Sequence, residues 1–146
     1  QGLEADTIII AVGGGGLISG AISWFQKRKK IVAVEPENCP TLNVALKKGK
    51  PSNVSVSGIA ASALGAKSIG NICFNLSKEN QIESLVISDD EIETARRLLW
   101  ENHRILVEPA GAAALAAIIS GKYKPKTDEK LAVLICGANP NIIPEF

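Results

Sequence analysis

Sixteen basic residues against fifteen acidic ones leave the 146-residue chain at a formal charge of +1, with no basic surplus for nonspecific binding along a nucleic-acid backbone. Its longest apolar runs fall far short of the ~20 residues that a membrane span needs, and its N-terminus lacks a charged-then-apolar signal pattern. Neither nucleic acid nor membrane is therefore expected as a partner. Apolar residues make up 46% and aromatic residues only 4%, a balance that suits an aliphatic α/β interior. Cys39, Cys73 and Cys136 form no CxxC pair and are odd in number, which points to a reducing compartment and a cytoplasmic location. The sequence holds no methionine and opens on Gln1, so it is expected to be a processed or partial product, with residues 1–146 forming a single, partial domain.

In chain order, Thr7 to Val12 reads as a first strand and Ile18 to Lys29 as the helix that follows it. The basic run Lys27 to Lys30 closes that helix, where cations complement the dipole. Ile31 to Val34 is a second strand, ending at Glu35-Pro36, and Thr41 to Lys48 is helical. Lys47 to Asn53 is a turn-rich loop. Small residues dominate from Ser55 to Gly70, where backbone can approach backbone or ligand closely. Leu85 to Ile87 is a third strand. Ser88-Asp89-Asp90-Glu91 is a capping box, opening a helix that runs on through Arg96 to Asn102. His103, the single histidine, sits at the end of that helix and reads as a capping or surface residue. A further helix starts at Glu108-Pro109 and continues through an alanine-rich run, Leu131 to Cys136 is a last buried strand, and Gly137-Ala138-Asn139-Pro140 turns out of it. Alternating strands and helices of this kind predict an α/β fold with an open parallel sheet flanked by helices on both faces.

The most informative segment is VGGGGLISG, Val12 to Gly20. A strand, a loop without side chains and a helix N-terminus together make an anion cradle, because bare amides can close around a phosphate. Two better-known phosphate loops do not fit. GxxxxGK followed by Ser or Thr fails because Gly15 and Gly20 are followed by Ala21-Ile22. GxGxxG fails because Gly13-x-Gly15 reaches Ile18 and Gly14-x-Gly16 reaches Ser19. Glu35 nevertheless ends the second strand about twenty residues on, where a ribose-binding acid would stand, so a dinucleotide-dependent oxidoreductase fragment is one alternative. Cys136 could equally be a small buried hydrophobe at a strand end, and Glu108 a carboxylate favoured by a helix dipole.

Four segments taken together resemble the pyridoxal-phosphate enzymes of the tryptophan-synthase-β-like fold, and most closely the L-serine/L-threonine dehydratases. They are VGGGGLISG (12 to 20), ALGAKSIG (63 to 70), ILVEPAGAAALAA (105 to 117) and LICGANPN (134 to 141), in the family's order and approximate spacing from about Ile8 to Asn141. The resemblance implies a partial cofactor domain with pyridoxal 5'-phosphate as cofactor and an L-hydroxyamino acid as substrate, dehydrated and deaminated to a 2-oxo acid and ammonia.

By the same resemblance, Gly13, Gly14, Gly15, Gly16 and Leu17 match the loop whose amides hold the cofactor phosphate. Cys136 matches the cysteine or serine facing the pyridine nitrogen, and Glu108 the acid near the ring edge. A neutral thiol cannot keep a proton on that nitrogen as a carboxylate would, which favours β-elimination of a hydroxyl; racemases share the matched residues but more often carry serine. A mono- or divalent cation is implied near the cofactor through Glu35 and carbonyls near Cys39, Leu64 and Ala66, oxygen ligands of the kind hard cations take. Thr41 stands where some relatives place an aspartate. The SxKxRG-like motif that carries the family's Schiff-base lysine is absent from these residues, so no catalytic residue is assigned here. The expected partners are an amino-acid substrate, a missing N-terminal polypeptide and a second copy of the complete chain in a homo-oligomer. The remaining alternative is a catalytically dead cofactor-binding or interaction module.

Overall fold

The computed structural model of this chain describes residues 4–138. Four parallel strands form one sheet: β1 (Thr7–Ala11), β2 (Lys30–Pro36), β3 (Glu83–Ile87) and β4 (Leu131–Val133). Their order across the sheet is β3-β2-β1-β4. Helices α1 (Gly16–Phe25), α2 (Thr41–Lys48) and α4 (Asn71–Glu79) lie against one face, and α5 (Asp89–His103) and α6 (Pro109–Ile119) against the other, with the single turn α3 (Ala61–Leu64) between α2 and α4 in sequence.

Side-chain alternation along β1 divides the interior in two. Ile9 and Ala11 enter the core shared with α5 and α6, while Ile10 and Val12 enter the core shared with α1, α2 and α4. Both faces of the sheet are thus covered, as the apolar runs predicted. Helix α6 can lie so close because its buried positions are nearly all alanine and glycine.

Several boundaries differ from expectation. The first helix ends at Phe25 and not at Lys29, because Gln26 takes a positive φ of 50° and a single 3-10 turn, Gln26–Arg28, follows. The basic run is therefore divided between roles. Lys29 donates to the Ala5 carbonyl, and Lys30 opens β2 with an ion pair to Glu83 at 2.8 Å. The last strand stops at Val133 and not at Cys136, its ladder with β1 closing with the Leu134 amide on the Ile9 carbonyl. Helix α4 has no counterpart in the sequence reading. The capping box is formed: Ser88 Oγ accepts from the Glu91 amide, and the Glu91 carboxylate accepts from the Ser88 amide at 2.7 Å. Asn139 and Pro140 lie outside the described residues.

Candidate cofactor site

The strand order fixes where a ligand can sit. From β1 the chain steps outward to β2 and β3 with α1 on one face, and then returns by α5 and α6 on the other face to reach β4 on the far side of β1. The order reverses between β1 and β4. In open parallel sheets that reversal opens a crevice at the carboxyl ends of the two strands. The two segments leaving those ends are the glycine run and the stretch Leu134 to Ala138. Ile9 lies opposite Val133, and the Leu134 amide donates to the Ile9 carbonyl at 3.0 Å. Beyond that bond the ladder ends; Cys136 follows Leu134 after one residue, and Gly13 follows Val12 at the end of β1.

Each glycine of the run meets a different environment. A Cβ at Gly13 would lie 2.9 Å from the Leu64 Cα, so the loop is braced backbone to backbone against the end of α3. Gly15 has φ of +91°, and a Cβ there would lie 2.6 Å from Cys73 Sγ on α4. Gly14 and Gly16 are different: a Cβ on either would meet nothing within 4 Å. The amides of Gly13, Gly14 and Gly15 have no acceptor among the described residues, whereas the Val12 amide is spent on the Val34 carbonyl. Gly16 is the first residue of α1, so its amide and that of Leu17 are among the helix's unpaired N-terminal donors. This is a set of donors and open space that a phosphate fits. Leu17 presents a 54% exposed side chain.

The N-terminus of α6 meets the segment that leaves β4. Glu108 is the N-cap of α6 and Pro109 its first residue, where the missing N–H costs nothing. Gly111 lies one turn in, and a Cβ on it would come within 2.7 Å of the Cys136 carbonyl oxygen and 2.8 Å of that of Gly137. Helix and loop backbones are therefore in contact through a position without a side chain. Burial pushes the Cys136 thiol above its ordinary range, and the Glu108 carboxylate beside it pushes in the same direction. Cys136 is thus a neutral thiol at physiological pH.

Glu35 is fully buried at the end of β2. Its two oxygens accept from the Leu42 and Asn43 amides at 2.7 Å each, so the carboxylate closes the N-terminus of α2. Burial raises its pKa, and donors from Leu42, Asn43, Thr41 and Ser84 pull it back. Thr41 Oγ1 lies 3.1 Å from Glu35 Oε1 and 3.2 Å from the Gly13 carbonyl, tying this carboxylate to the glycine run. The Cys39 carbonyl accepts from the Thr41 amide and the Leu64 carbonyl from the Ala66 amide, while the buried Cys39 thiol is pushed up by burial and by the Glu35 and Asp89 charges. Among the described residues no group of three His, Cys, Asp or Glu side chains could hold a metal ion. His103 ends α5 on the surface.

Cys73 and Gly111 brace these segments without having been singled out from sequence, whereas Thr41, noted there for standing where some relatives place an aspartate, ties Glu35 to the glycine run. Of the first two, only Gly111 carried a signal: in an alanine run, glycine is the poorer helix former and needs a packing reason.

The family model described as "Pyridoxal-phosphate dependent enzyme" matches residues 1–137. The chain belongs to the pyridoxal-phosphate dependent enzyme family. Among members of this family, the L-threonine ammonia-lyase of Thermotoga maritima is 31% identical over 142 residues, which are 95% of this chain and 35% of that protein. "Serine dehydratase-like" of Mus musculus is 33% identical over 152 residues, 94% of this chain and 46% of that protein. The crystal structure of a T.th. threonine deaminase superposes with a TM-score of 0.84 at 28% identity, covering 98% of this chain and 52% of that one. The chain therefore spans about half or less of the length of these relatives, and the tryptophan-synthase-β-like fold expected of it is the one observed.

Proposed function

We propose that this segment holds the phosphate and ring-nitrogen end of pyridoxal 5'-phosphate in a lyase that dehydrates and deaminates L-serine or L-threonine to a 2-oxo acid and ammonia. One observation carries the reading: the acceptor-free glycine amides and a neutral thiol beside Glu108 leave the carboxyl ends of neighbouring strands at the point where the strand order reverses. The relatives described above, an L-threonine ammonia-lyase and a threonine deaminase, support the substrate class.

When bound, pyridoxal phosphate supplies an electron sink for the substrate's Cα. The amides of Gly13 to Leu17 anchor its phosphate with fixed dipoles that need no reorganisation. Cys136 would give the ring nitrogen a hydrogen-bonding partner that stays neutral and would not hold a proton on it, so the bound group would supply a weaker electron sink, of the kind suited to loss of a β-hydroxyl. Burial first, and then the neighbouring Glu108, raises the pKa of the Cys136 thiol and so keeps its proton in place. The lysine that such chemistry requires belongs to polypeptide outside these residues, so the 146 residues alone are expected to bind and not to turn over. A cation held by the Cys39, Leu64 and Ala66 carbonyls, with the Glu35 charge behind them, is part of the same proposal. So are a single partial domain over residues 1–146, homo-oligomers of the complete protein, and a cytoplasmic location.

The test is a pair of fluorescence titrations of the chain, one with pyridoxal phosphate and one with pyridoxal. The reading expects the phosphate-free compound to bind at least about tenfold more weakly, a difference of about 1.4 kcal/mol. Equal affinities would place the anchor elsewhere and remove the glycine loop from the site.

A further inference from the structure

Asp89 opens α5, a position where a carboxylate ordinarily stays in water and gains from the helix dipole. Here it turns inward. Its Oδ2 accepts from Asn38 Nδ2 at 3.2 Å and from the Ile59 amide at 3.3 Å, and Gly58, with φ of +88°, packs directly against it. A Cβ at Gly58 would come within 2.8 Å of Oδ2 and 2.9 Å of both Oδ1 and Asn38 Nδ2, so a side chain there would displace the carboxylate. The Asn38 carbonyl in turn accepts from the Ser57 amide at 3.1 Å. One carboxylate therefore joins three segments: the turn after β2, the small-residue stretch and the start of α5. Its other oxygen, Oδ1, is shut off from solvent without a hydrogen-bond partner, and among the described residues it is the one buried side-chain oxygen or nitrogen of which this is true. A buried oxygen without a donor costs stability. That cost offsets the two long hydrogen bonds made by Oδ2, so Asp89 does little for the stability of the fold as a whole.

What Asp89 does hold is the path to the glycine run. The Gly58 carbonyl accepts from the Ala61 amide at 3.2 Å and so starts α3, a single turn whose N-cap, Ala60, makes no side-chain cap. That turn ends at Leu64, whose Cα would lie 2.9 Å from a Cβ at Gly13. A shift of the Gly58-Ile59 turn is therefore passed by one short helical turn to the backbone against which Gly13 is braced. We propose that Asp89 is a positioning residue for the phosphate cradle, fixing the Gly58-Ile59 turn so that α3 holds Gly13 in place. The inference rests on the cofactor reading and adds to it a residue outside the glycine run. Charge gives the inference a decisive sign. Asp89 follows β3 at the same end of the sheet as the glycine run, so deleting its negative charge would by electrostatics alone strengthen the binding of a phosphate, whereas losing the tie weakens it.

The experiment titrates pyridoxal phosphate and pyridoxal, by fluorescence, into the wild-type chain and into Asp89→Ala, Asp89→Asn and Asp90→Ala, with amide exchange and urea midpoints read on each chain without ligand. Asp90→Ala removes the same charge from an exposed position in the same helical turn. The proposal expects Asp89→Ala to bind pyridoxal phosphate about tenfold more weakly and pyridoxal with unchanged affinity. The Leu64 and Gly65 amides, bonded to the Ala60 and Ala61 carbonyls, should exchange about tenfold faster in that variant, while its urea midpoint stays close to that of wild type. Asp89→Asn keeps an oxygen for the Ile59 amide and should restore most of the affinity, and Asp90→Ala should bind as wild type does. Equal or tighter binding of pyridoxal phosphate by Asp89→Ala would overturn the proposal, as would faster exchange without a loss of affinity. A large fall in the urea midpoint of Asp89→Ala, or failure of that chain to fold, would make Asp89 an ordinary structural residue and overturn it equally. A wild-type chain that binds pyridoxal phosphate no better than pyridoxal would remove the cofactor reading itself, and this inference with it; a wild type that prefers the phosphate beside an Asp89→Ala chain that keeps the same preference would remove this inference alone.

Discussion

At the residue scale, the four glycines are not interchangeable, and their environments predict different costs. Gly13→Ala drives a methyl group into the Leu64 backbone, which cannot move aside as a side-chain tip could. It should cost about 1–3 kcal/mol of stability by overpacking, measured as a fall in the urea midpoint. Gly14→Ala enters open space and should change stability by less than about 0.5 kcal/mol. Gly111→Ala sets two effects against each other. Alanine gains about 1 kcal/mol of helix propensity, but its methyl would lie 2.7 Å from the Cys136 carbonyl oxygen and 2.8 Å from that of Gly137. Both obstacles are backbone, so the clash should win and the variant should unfold at lower urea than wild type.

Much of this was legible in sequence because a glycine run after a β-rich segment has few other uses. Cys136 and Glu108 were named from the sequence, and the fold sets them side by side. What sequence could not show was which glycine faces what, since that depends on Leu64 and Cys73 arriving from α3 and α4. Glu35 was visible as an acid at a strand end. That it caps α2 became visible only once Leu42 and Asn43 were folded over it.

At the element scale, local rules served where the signal was local. Ser88-Asp89-Asp90-Glu91 predicted a helix start and both of its reciprocal bonds are made. Ser88→Ala should cost about 1 kcal/mol, and Ser88→Asp should restore most of it, as read by thermal or urea unfolding. Helix α4 was missed for a physical reason: Gly70 at its N-cap offers no side-chain bond, and Asn71, Cys73, Asn75 and Ser77 are weak helix formers. Tertiary packing of Cys73 and Phe74 into the core makes it helical. The first helix was overrun for the opposite reason. Lysines are good helix formers, and nothing in the sequence announced that Gln26 would turn to positive φ or that Lys30 would pair with Glu83 across two strands.

At the scale of the whole molecule, the parallel sheet covered on both faces followed from the alternation of apolar strands and helices. The strand order did not, because β1 and β4 are separated by most of the chain and no local pattern encodes their pairing. The base of the sheet offers a test of that pairing. Glu129, just before β4, accepts from the Thr7 hydroxyl on β1, from the Tyr123 hydroxyl after α6 and from the Lys126 amide. The Thr7 hydrogen bond first, then that of Tyr123, lowers its pKa to about 2. The folded value lies below the unfolded one of about 4.3, so this contribution to stability is whole above the unfolded pKa and is lost as pH falls toward about 2. Urea midpoints measured from neutral pH downward should therefore drop through that acid window, and Glu129→Gln should flatten the drop while lowering the midpoint at neutral pH.

Phosphorus NMR of pyridoxal phosphate titrated with the wild-type chain and with Gly14→Asp tests the central claim most directly. The substitution enters open space, so the fold and its urea midpoint should be unchanged. A carboxylate there would stand against the phosphate, where like charges about 4 Å apart repel by about 4 kcal/mol at an effective dielectric constant near 20. The account predicts a phosphorus shift on wild type and an affinity loss of about a hundredfold or more in the variant. An equal phosphorus shift and equal affinity in a folded Gly14→Asp chain would contradict it.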